Sequence, residues 1–471
     1  MTEDTAVVES KVREDLPAPG TDASHGLRFQ VLSPLETLAQ SVSSIAPTAS
    51  PLVVIPLVYA ASGSGTWLAY VLATAGIVFV ALAVNEFTRH SASPGSLYSY
   101  ISTSLGRSCG LVAGWSLLAA YAITAAAVTG GFTNYANVLL RETCGRPLSP
   151  VLLTFVPVAL AWAAAYRNVQ LSARFMVWLE GCSVVLIGGL AAAFLVQRAL
   201  HGATIAPPVA GLSFDKVRMG LVLATFSFAG FESAASLGAE ARQPLKTIPR
   251  AVLWSAILVG AFFVLCAHGE TLAFIGEPVS LDHSTAPMHV LAAKAGLPFL
   301  GGLLDAAAVA SFFACILACI TAGARVLFAM GLDGVVHPSA GRAHKSNRTP
   351  HHAVTVTSLV AFVPAAALAS RGVGPFDIYG WLGTFATYGF IVVYLLVAAG
   401  ALAVLRTRNQ FRPWRILPAA LGILAMLTTL VGSFYPIPPA PYNWLPAAFA
   451  AYLAIGLTWF RISAERAGGR P

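Results

Sequence analysis

The chain has 471 residues, of which 57% are hydrophobic and only 10% are charged. A soluble domain carries about 25% charged residues, so this composition excludes a soluble protein and predicts an integral membrane protein. The formal net charge of +8 is scattered over short loops between apolar segments, which argues against a surface for nucleic acid.

The amino-terminal segment, residues 1–32, is polar and mixed in charge, and it contains Pro17, Pro19 and Gly20. It lacks the basic start and the apolar core of a signal peptide, and it predicts a disordered cytoplasmic tail. The six cysteines show neither metal-ligand spacing nor a disulfide pattern. We therefore expect no metal site and no cofactor, and we interpret Cys315 and Cys319 as small buried packing residues.

Apolar segments long enough to cross a bilayer fill most of the remaining chain and predict an all-α protein with twelve transmembrane helices. Residues 33–405 hold a core of ten helices, residues 406–461 add two more, and residues 462–471 form a second cytoplasmic tail. A more amphipathic segment at 95–105 is expected to follow the cytoplasmic interface. The predicted spans lie at about 37–61, 66–88, 109–139, 149–166, 172–198, 218–240, 250–274, 300–330, 352–370, 378–405, 415–434 and 442–461.

Lysine and arginine decide the predicted orientation. They are more frequent in the loops that lie inside when the N-terminus is inside than in the opposite loops. The positive-inside rule therefore predicts that both termini lie in the cytoplasm. We expect this multi-pass protein to lie in the plasma membrane, which is the inner membrane of the cell.

Two of the predicted spans contain residues that interrupt a helix. In the first span, Pro47 removes a backbone donor within the segment S-S-I-A-P-T-A-S-P at 43–51. In the sixth span, Gly230 lies within T-F-S-F-A-G-F-E-S at 225–233, beside the carboxylate of Glu232. A kink at Pro47 alone would be tolerated in a membrane helix. Interruptions five spans apart, however, are typical of a transporter site built on inverted repeats.

The ends of interrupted helices favour a zwitterionic ligand. A half-helix that begins at a break offers free N–H groups and the positive end of its dipole, whereas one that ends there offers free carbonyls. An amino acid matches both, since its carboxylate suits the N–H groups and its ammonium suits the carbonyls.

Four segments resemble the amino acid–polyamine–organocation (APC) superfamily, and specifically its amino acid permeases. The most specific is F-S-F-A-G-F-E-S-A-A-S-L-G-A-E-A-R-Q-P-L-K-T-I-P-R-A at 226–251, which is similar to the family's sixth helix and the following loop. The segments 85–101, 111–115 and 324–334 agree in order. The resemblance implies the LeuT-like fold, with two inverted five-helix repeats and two peripheral helices, and an amino acid or related amine as substrate.

The resemblance also implies roles for individual residues. Phe226 would be an aromatic gate, Ala229 and Gly230 the unwound segment, and Glu232 the carboxylate linked to conformation or to protons. Phe231 and Tyr121 would suit a neutral or aromatic substrate. The remaining residues expected to face the substrate are Ser44, Ile45, Ala46, Pro47, Thr48 and Ala49 in the first span and Gly114 and Leu118 in the third.

The chain departs from the family pattern in ways that bear on coupling. A-P-T-A stands where many relatives have a glycine-rich loop, so the role of Thr48 rests on its position. Some relatives carry a lysine in the fifth helix, where this chain has Glu180. Glu180 either pairs with a distant basic group such as Arg325 or takes part in proton movement.

Three further acids receive structural interpretations. We expect Glu86 to be a structural acid near Arg89 at the interface, and Glu240 to cap a helix or to pair with Arg242 or Arg250. Glu270 lies near the outer end of the seventh span, where we expect it to be solvated.

The resulting hypothesis is a secondary transporter for a neutral or aromatic amino acid, working by alternating access with proton coupling through Glu232. An exchanger, or an uptake system for another amine or organic cation, remains an alternative. A transporter-fold nutrient sensor or a channel is the alternative of another class, whereas an enzyme would need clustered catalytic groups that the ten histidines do not supply. The expected partners are the substrate, protons and the lipid bilayer.

Overall fold

The computed structural model describes residues 25–206, 211–284, 286–435 and 437–466. Most of the predicted N-terminal tail and the last five residues of the predicted C-terminal tail lie outside these ranges. The described chain is helical apart from short turns and an isolated parallel bridge between Leu32 and Ala241. Its α-helices are α1 Pro34–Ile45, α2 Ile55–Ser62, α3 Thr66–Thr88, α4 Leu97–Leu105, α5 Arg107–Cys144, α6 Pro150–Arg167, α7 Val169–Leu200, α8 Phe214–Phe226, α9 Pro244–Ala273, α10 Pro287–Lys294, α11 Gly301–Leu332, α12 His351–Ser370, α13 Pro375–Thr407, α14 Pro413–Gly432 and α15 Leu445–Arg466.

Within the described ranges, nine helical segments are long and apolar enough to cross a membrane. The stretch Pro34–Thr88 counts as one of them, although it contains the first two predicted spans. Helix α8 has only 13 residues and the apolar part of α15 ends at Phe460, so both fall short of the roughly 20 residues that a bilayer requires. The protein is therefore a multi-pass, all-helical membrane protein, and the count of twelve spans remains a prediction.

Helix α5 lies at the centre of the bundle and α14 at its edge. Of the most apolar window in each helix, 83% is buried in α5 but only 22% in α14. Small residues let neighbours approach α5 closely, since a Cβ added to Gly131 would come within 2.7 Å of the Phe312 ring of α11. The central helix thus brings α11 and α13 together beside the interrupted helices.

The end of the predicted N-terminal tail is part of the helical bundle. Leu27 and Leu32 are buried. The Leu32 N–H donates to the Glu240 carbonyl at 2.9 Å, and the Leu32 carbonyl accepts from the Arg242 N–H at 2.9 Å. Helix α1 then begins at a capping box, in which Ser33 and Glu36 bind each other's backbone N–H groups. Residues 25–32 therefore hold the start of α1 against the chain that follows the second break.

The buried acid Glu240 has a different partner from the one predicted. Its carboxylate accepts two hydrogen bonds from the Arg325 guanidinium, at 2.6 and 2.8 Å, and both side chains are 1% exposed. The prediction that Glu240 pairs with Arg242 or Arg250 is therefore wrong. Of the two alternatives for Glu180, pairing with Arg325 is contradicted, because Arg325 is occupied by Glu240. Local spacing suggested the nearest arginines, but packing places α11 beside the loop before α9.

Of the other two acids, only Glu270 differs from the prediction. Glu86 is held by the Arg415 guanidinium of α14, which agrees with a structural role. Glu270 is fully buried, and neither of its carboxylate oxygens has a hydrogen-bond partner among the described residues. The prediction that Glu270 is solvated is wrong because neighbouring helices cover the outer part of α9.

Candidate functional site at two interrupted helices

The first break separates α1 from α2. Ala46 adopts the left-handed conformation, with φ of 51°, and its N–H donates to the Ser43 carbonyl at 3.1 Å. Pro47 follows and has no N–H with which to continue the helix. A tight turn, in which the Ala49 N–H donates to the Ala46 carbonyl at 2.9 Å, leads into a wide helical turn at Ser50–Val54. The backbone therefore leaves the α-helix where the sequence predicts it.

The second break is longer than the predicted pair Ala229 and Gly230. Helix α8 ends at Phe226, and a narrow helical turn occupies Ser233–Leu237. The next α-helix begins only at Pro244. Gly230 has a φ of 88°, which glycine adopts readily and other residues rarely do.

The two breaks touch each other. The Ser233 hydroxyl donates to the Ser44 hydroxyl at 2.7 Å, and the Ala234 N–H donates to the Ser41 hydroxyl at 2.9 Å. A Cβ added to Gly230 would lie 2.9 Å from the Ser44 Cβ. Segments almost 190 residues apart in the chain therefore form one continuous site.

A small cavity lies between the breaks. Its volume is about 20 Å³, counted as the space that the centre of a water-sized sphere can occupy. One water molecule needs about 10–15 Å³ by this measure, so the cavity is too small for an amino acid. The predicted residues that line the cavity are Ser44, Ile45, Ala46, Phe226 and Ala229.

The other predicted substrate residues lie around this cavity rather than on its wall. Gly230 and Phe231 form the second break, and Tyr121 binds Glu232. Thr48 and Ala49 are buried beyond the first turn. Pro47, Gly114 and Leu118 have other surroundings: Pro47 faces an apolar cavity between α1, α7 and α9, Gly114 packs against Tyr98 and Met330, and Leu118 is buried away from the cavity.

Seven residues of the cavity wall were not predicted. Thr124, Ala127 and Val128 share one face of α5 with Tyr121, and helical spacing from Tyr121 could have indicated them. Ser50 and Ser227 follow the two breaks directly. Nothing in the local sequence points to the last two, Cys315 of α11 and Tyr379 of α13. Cys315 does more than fill space, because its thiol donates to the Ser44 carbonyl at 3.4 Å.

Phe226 closes the cavity against α13. Its ring meets Tyr379 edge to face, with the centroids 6.2 Å apart and the planes at 69°. A Cβ added to Gly383 would come 2.6 Å from Phe226 Cζ, so glycine is what makes room for the ring. Phe226 therefore packs directly against α13.

Glu232 is fully buried directly behind the second break. The Tyr121 hydroxyl donates to one carboxylate oxygen at 2.7 Å, and the Tyr394 hydroxyl donates to the other. The Tyr394 hydroxyl also accepts a hydrogen bond from the Gly230 N–H at 3.2 Å. The carboxylate is thus connected to the backbone of Gly230 through one shared hydroxyl.

Glu180 is the second buried acid near the site. The Ser311 hydroxyl lies 3.0 and 2.9 Å from its two oxygens. Ser311 lies one helical turn before Cys315, which contacts the first break. Among the described residues, neither Glu180 nor Glu232 forms an ion pair, and no group of histidine, cysteine, aspartate and glutamate could hold a metal ion.

Comparison with known proteins places the chain in a family. The family model described as amino acid permease matches residues 37–462. The branched-chain amino acid permease BcaP of Lactococcus lactis is 27% identical over 460 residues, which cover 91% of this chain and 94% of the relative. BcaP of Bacillus subtilis is 26% identical over 65% of this chain and 70% of its own length. The low-affinity putrescine importer PlaP of Escherichia coli is 27% identical over 63% of this chain and 66% of its own length.

The match spans both breaks and the helices that surround them. It confirms the resemblance to the APC superfamily predicted from the motifs at 226–251 and elsewhere. Because this family consists of transporters, the prediction that the chain is not an enzyme is also confirmed. The chain belongs to the amino acid permease family and is a multi-pass membrane transporter.

Proposed function

We propose that this transporter carries a neutral amino acid with an apolar side chain, and that it does so by alternating access around the cavity between the two breaks. The observation that carries this proposal is the composition of the cavity wall. Apolar side chains make up most of it, and no described residue on it is charged. Its hydroxyl groups include those of Ser44, Ser50, Thr124 and Ser227. Such a wall suits a ligand whose only charges are its own ammonium and carboxylate.

The two helix ends at the first break provide for those charges. Helix α1 ends at Ile45, so its negative dipole end faces the break and favours the ammonium. The helical segment that begins at Ser50 presents its positive end, which favours the carboxylate. This arrangement agrees with a fold of twelve spans in which two inverted five-helix repeats meet at the site.

The lining also bears on the substrate side chain. Ile45, Ala127 and Val128 offer aliphatic contacts, and Phe226 offers an aromatic one. A diamine would need a carboxylate on the wall, whereas Glu232 lies behind the wall with both oxygens occupied by tyrosines. The names of the two BcaP relatives agree with an aliphatic substrate.

Glu232 is the proposed proton-coupling group. A buried carboxylate without a cationic partner is costly in a membrane protein, and binding a proton removes that cost. Protonation of Glu232 would change the hydrogen bond that it accepts from the Tyr394 hydroxyl. The same hydroxyl accepts a hydrogen bond from the Gly230 N–H in the second break. A proton taken up with the substrate therefore acts on the backbone that forms the site.

A counterflow experiment tests the substrate. Proteoliposomes preloaded with leucine, isoleucine, valine, phenylalanine or putrescine would be diluted into labelled isoleucine, and accumulation would be measured. We expect the neutral amino acids to drive accumulation and putrescine to fail. Accumulation driven by putrescine alone would contradict the proposal and favour an amine carrier, and flux without counterflow would indicate a channel.

A matched pair of variants tests the site. Phe226→Ala removes a ring from the cavity wall, whereas Phe385→Ala removes a ring of similar burial that packs against Phe449, with centroids 5.6 Å apart. We expect Phe226→Ala to raise the KM for isoleucine at least tenfold and Phe385→Ala to leave it within about twofold. Equal effects of the two changes would mean that Phe226 does not line the substrate site.

A further inference from the structure

A groove between the end of α3 and the start of α9 carries an unopposed positive charge. It encloses about 220 Å³, and three basic side chains line it: Arg89 just after α3, and Lys246 and Arg250 of α9. Deeper along α9 it is lined by Leu253 and Trp254. We call these five residues and the space between them the basic groove.

None of the described residues that line this groove is acidic. The nearest acid along α3 is Glu86, and its carboxylate is occupied by Arg415. Arg89, Lys246 and Arg250 are exposed, and they form no ion pair with any residue that the structure describes. Within the described ranges, three cations therefore face one space without a counter-charge.

The helix that carries two of these cations adds to the positive field. Helix α9 begins at Pro244 and has no acid in its first turn. Lys246 thus lies in the first turn, at the positive end of the helix dipole, where cations are unfavourable and anions are stabilised. An anion in the groove would relieve the repulsion among the three side chains and the repulsion of Lys246 from the dipole.

The walls of the groove are held at a fixed spacing. The Asn85 side chain is 2% exposed, its amide donates to the Pro249 carbonyl at 3.1 Å, and its oxygen accepts from the Thr88 hydroxyl at 3.1 Å. This contact ties α3 to α9 directly beneath the basic side chains. The groove is therefore formed before any ligand binds.

The groove changes from charged to apolar along one face of α9. Lys246, Arg250 and Trp254 follow one another at four-residue intervals, so they lie above one another on the helix surface. The Trp254 side chain is 50% exposed beside Leu253. Tryptophan is typical of the level where headgroups meet acyl chains. This order matches a molecule with an anionic head and an apolar tail.

We propose that the basic groove binds the phosphate headgroup of an anionic phospholipid, whose acyl chain lies along Leu253 and Trp254. The positive side chains of the groove attract the phosphate. The adjacent apolar surface at Leu253 and Trp254 favours a lipid, which has an acyl chain, over a free anion. The site is separate from the cavity between the breaks, and it lies at a membrane interface whichever way the chain is oriented.

Native mass spectrometry of the full-length protein would test this proposal. The protein would be equilibrated with mixed micelles of phosphatidylglycerol and phosphatidylcholine at equal concentration, and the retained lipids would be counted. Each basic residue near a membrane surface contributes about 1 kcal/mol to the attraction of anionic lipid, which is about fivefold in binding. We expect the ratio of retained phosphatidylglycerol to phosphatidylcholine to fall at least tenfold in the triple variant Arg89→Gln, Lys246→Gln and Arg250→Gln.

A matched control removes the same number of charges from other exposed loops and helix ends, with Arg141→Gln, Arg146→Gln and Arg371→Gln. This control should keep the wild-type preference. The conservative variant Arg89→Lys with Arg250→Lys should also keep most of it, because the positive charge stays.

Three outcomes would overturn the proposal. The first is a triple variant of the groove that elutes as a monodisperse, folded protein and keeps the wild-type preference for phosphatidylglycerol. The second is a control variant that loses as much of this preference as the groove variant does. The third is displacement of the retained lipid by millimolar inorganic phosphate, which would make the groove a site for a free anion. Quenching of Trp254 by a brominated acyl chain, measured against Trp254→Phe, gives an independent readout of where the lipid lies.

Discussion

Replacement of Glu232 by glutamine separates proton coupling from substrate binding. Glutamine has nearly the same shape as glutamate, but it can neither bind nor release a proton. In the structure, the two carboxylate oxygens accept from the Tyr121 and Tyr394 hydroxyls. In the variant, the amide oxygen can accept from one hydroxyl and the amide nitrogen can donate to the other, so the pair of contacts survives.

The expected effect on stability is small. A hydrogen bond to a charged group contributes about 1.5–3 kcal/mol and a neutral one about 0.5–1.5 kcal/mol, so two weakened bonds cost about 2–3 kcal/mol. Removing a buried charge without a cationic partner returns several kcal/mol of desolvation cost. We therefore expect Glu232→Gln to fold and to melt within a few degrees of the wild type.

The expected effect on transport is large. A pH difference of one unit is worth 1.36 kcal/mol per proton, so coupling to one proton allows about tenfold accumulation of substrate. The Glu232→Gln variant should retain counterflow of isoleucine but lose this accumulation entirely. The assay is uptake into proteoliposomes after an imposed pH jump, with and without sodium.

The second buried acid provides the control. Glu180→Gln changes a carboxyl that contacts Ser311 and is likewise free of any ion pair within the described chain. If Glu180→Gln abolishes accumulation and Glu232→Gln does not, the coupling group has been misassigned. Wild-type transport that ignores pH and requires sodium would refute proton coupling itself, and transport that needs neither gradient would identify an exchanger.

Three further changes test the architecture of the site and its support. Gly230→Ala places a Cβ at φ of 88° and 2.9 Å from another Cβ, so it should destabilise the protein by about 2 kcal/mol or more and abolish counterflow. Arg325→Met leaves Glu240 buried without its partner, and thermal unfolding should show a loss of about 3–5 kcal/mol that the added change Glu240→Leu largely reverses. Glu270→Gln should leave stability unchanged or raise it, because the wild-type carboxylate has no hydrogen-bond partner within the described chain, and a clear fall in melting temperature would reveal a role for its charge.

Much of the candidate site could be predicted from backbone chemistry alone. Proline lacks an N–H and glycine tolerates positive φ, so Pro47 and Gly230 indicated both breaks. The roles of the aromatic ring at 226 and of the acid at 232 came from the resemblance to the APC superfamily. The full length of the second break was not predictable, because its narrow turn at Ser233–Leu237 depends on hydrogen bonds to α1 rather than on its own residues.

The partners of the buried acids could not be predicted, since each partner lies far along the chain. Tyr394 is 162 residues from Glu232, and Arg325 is 85 residues from Glu240. Charge and spacing in a sequence suggest near neighbours, such as Arg242 or Arg250 for Glu240. The partner of Glu86 lies 329 residues away, on a helix that reaches it only through packing.

The sequence by itself determined that this protein lies in a membrane, belongs to a transporter family and carries two interrupted helices. The membrane location and the breaks follow from local physics, namely the length of apolar runs and the backbone limits of proline and glycine. The family follows from the motifs at 226–251 and elsewhere. Only the tertiary structure decided that Cys315 and Tyr379 line the cavity and that Arg89, Lys246 and Arg250 face one groove. Those facts depend on which helix faces touch, and in a bundle of uniformly apolar helices the sequence pattern marks no single inward face.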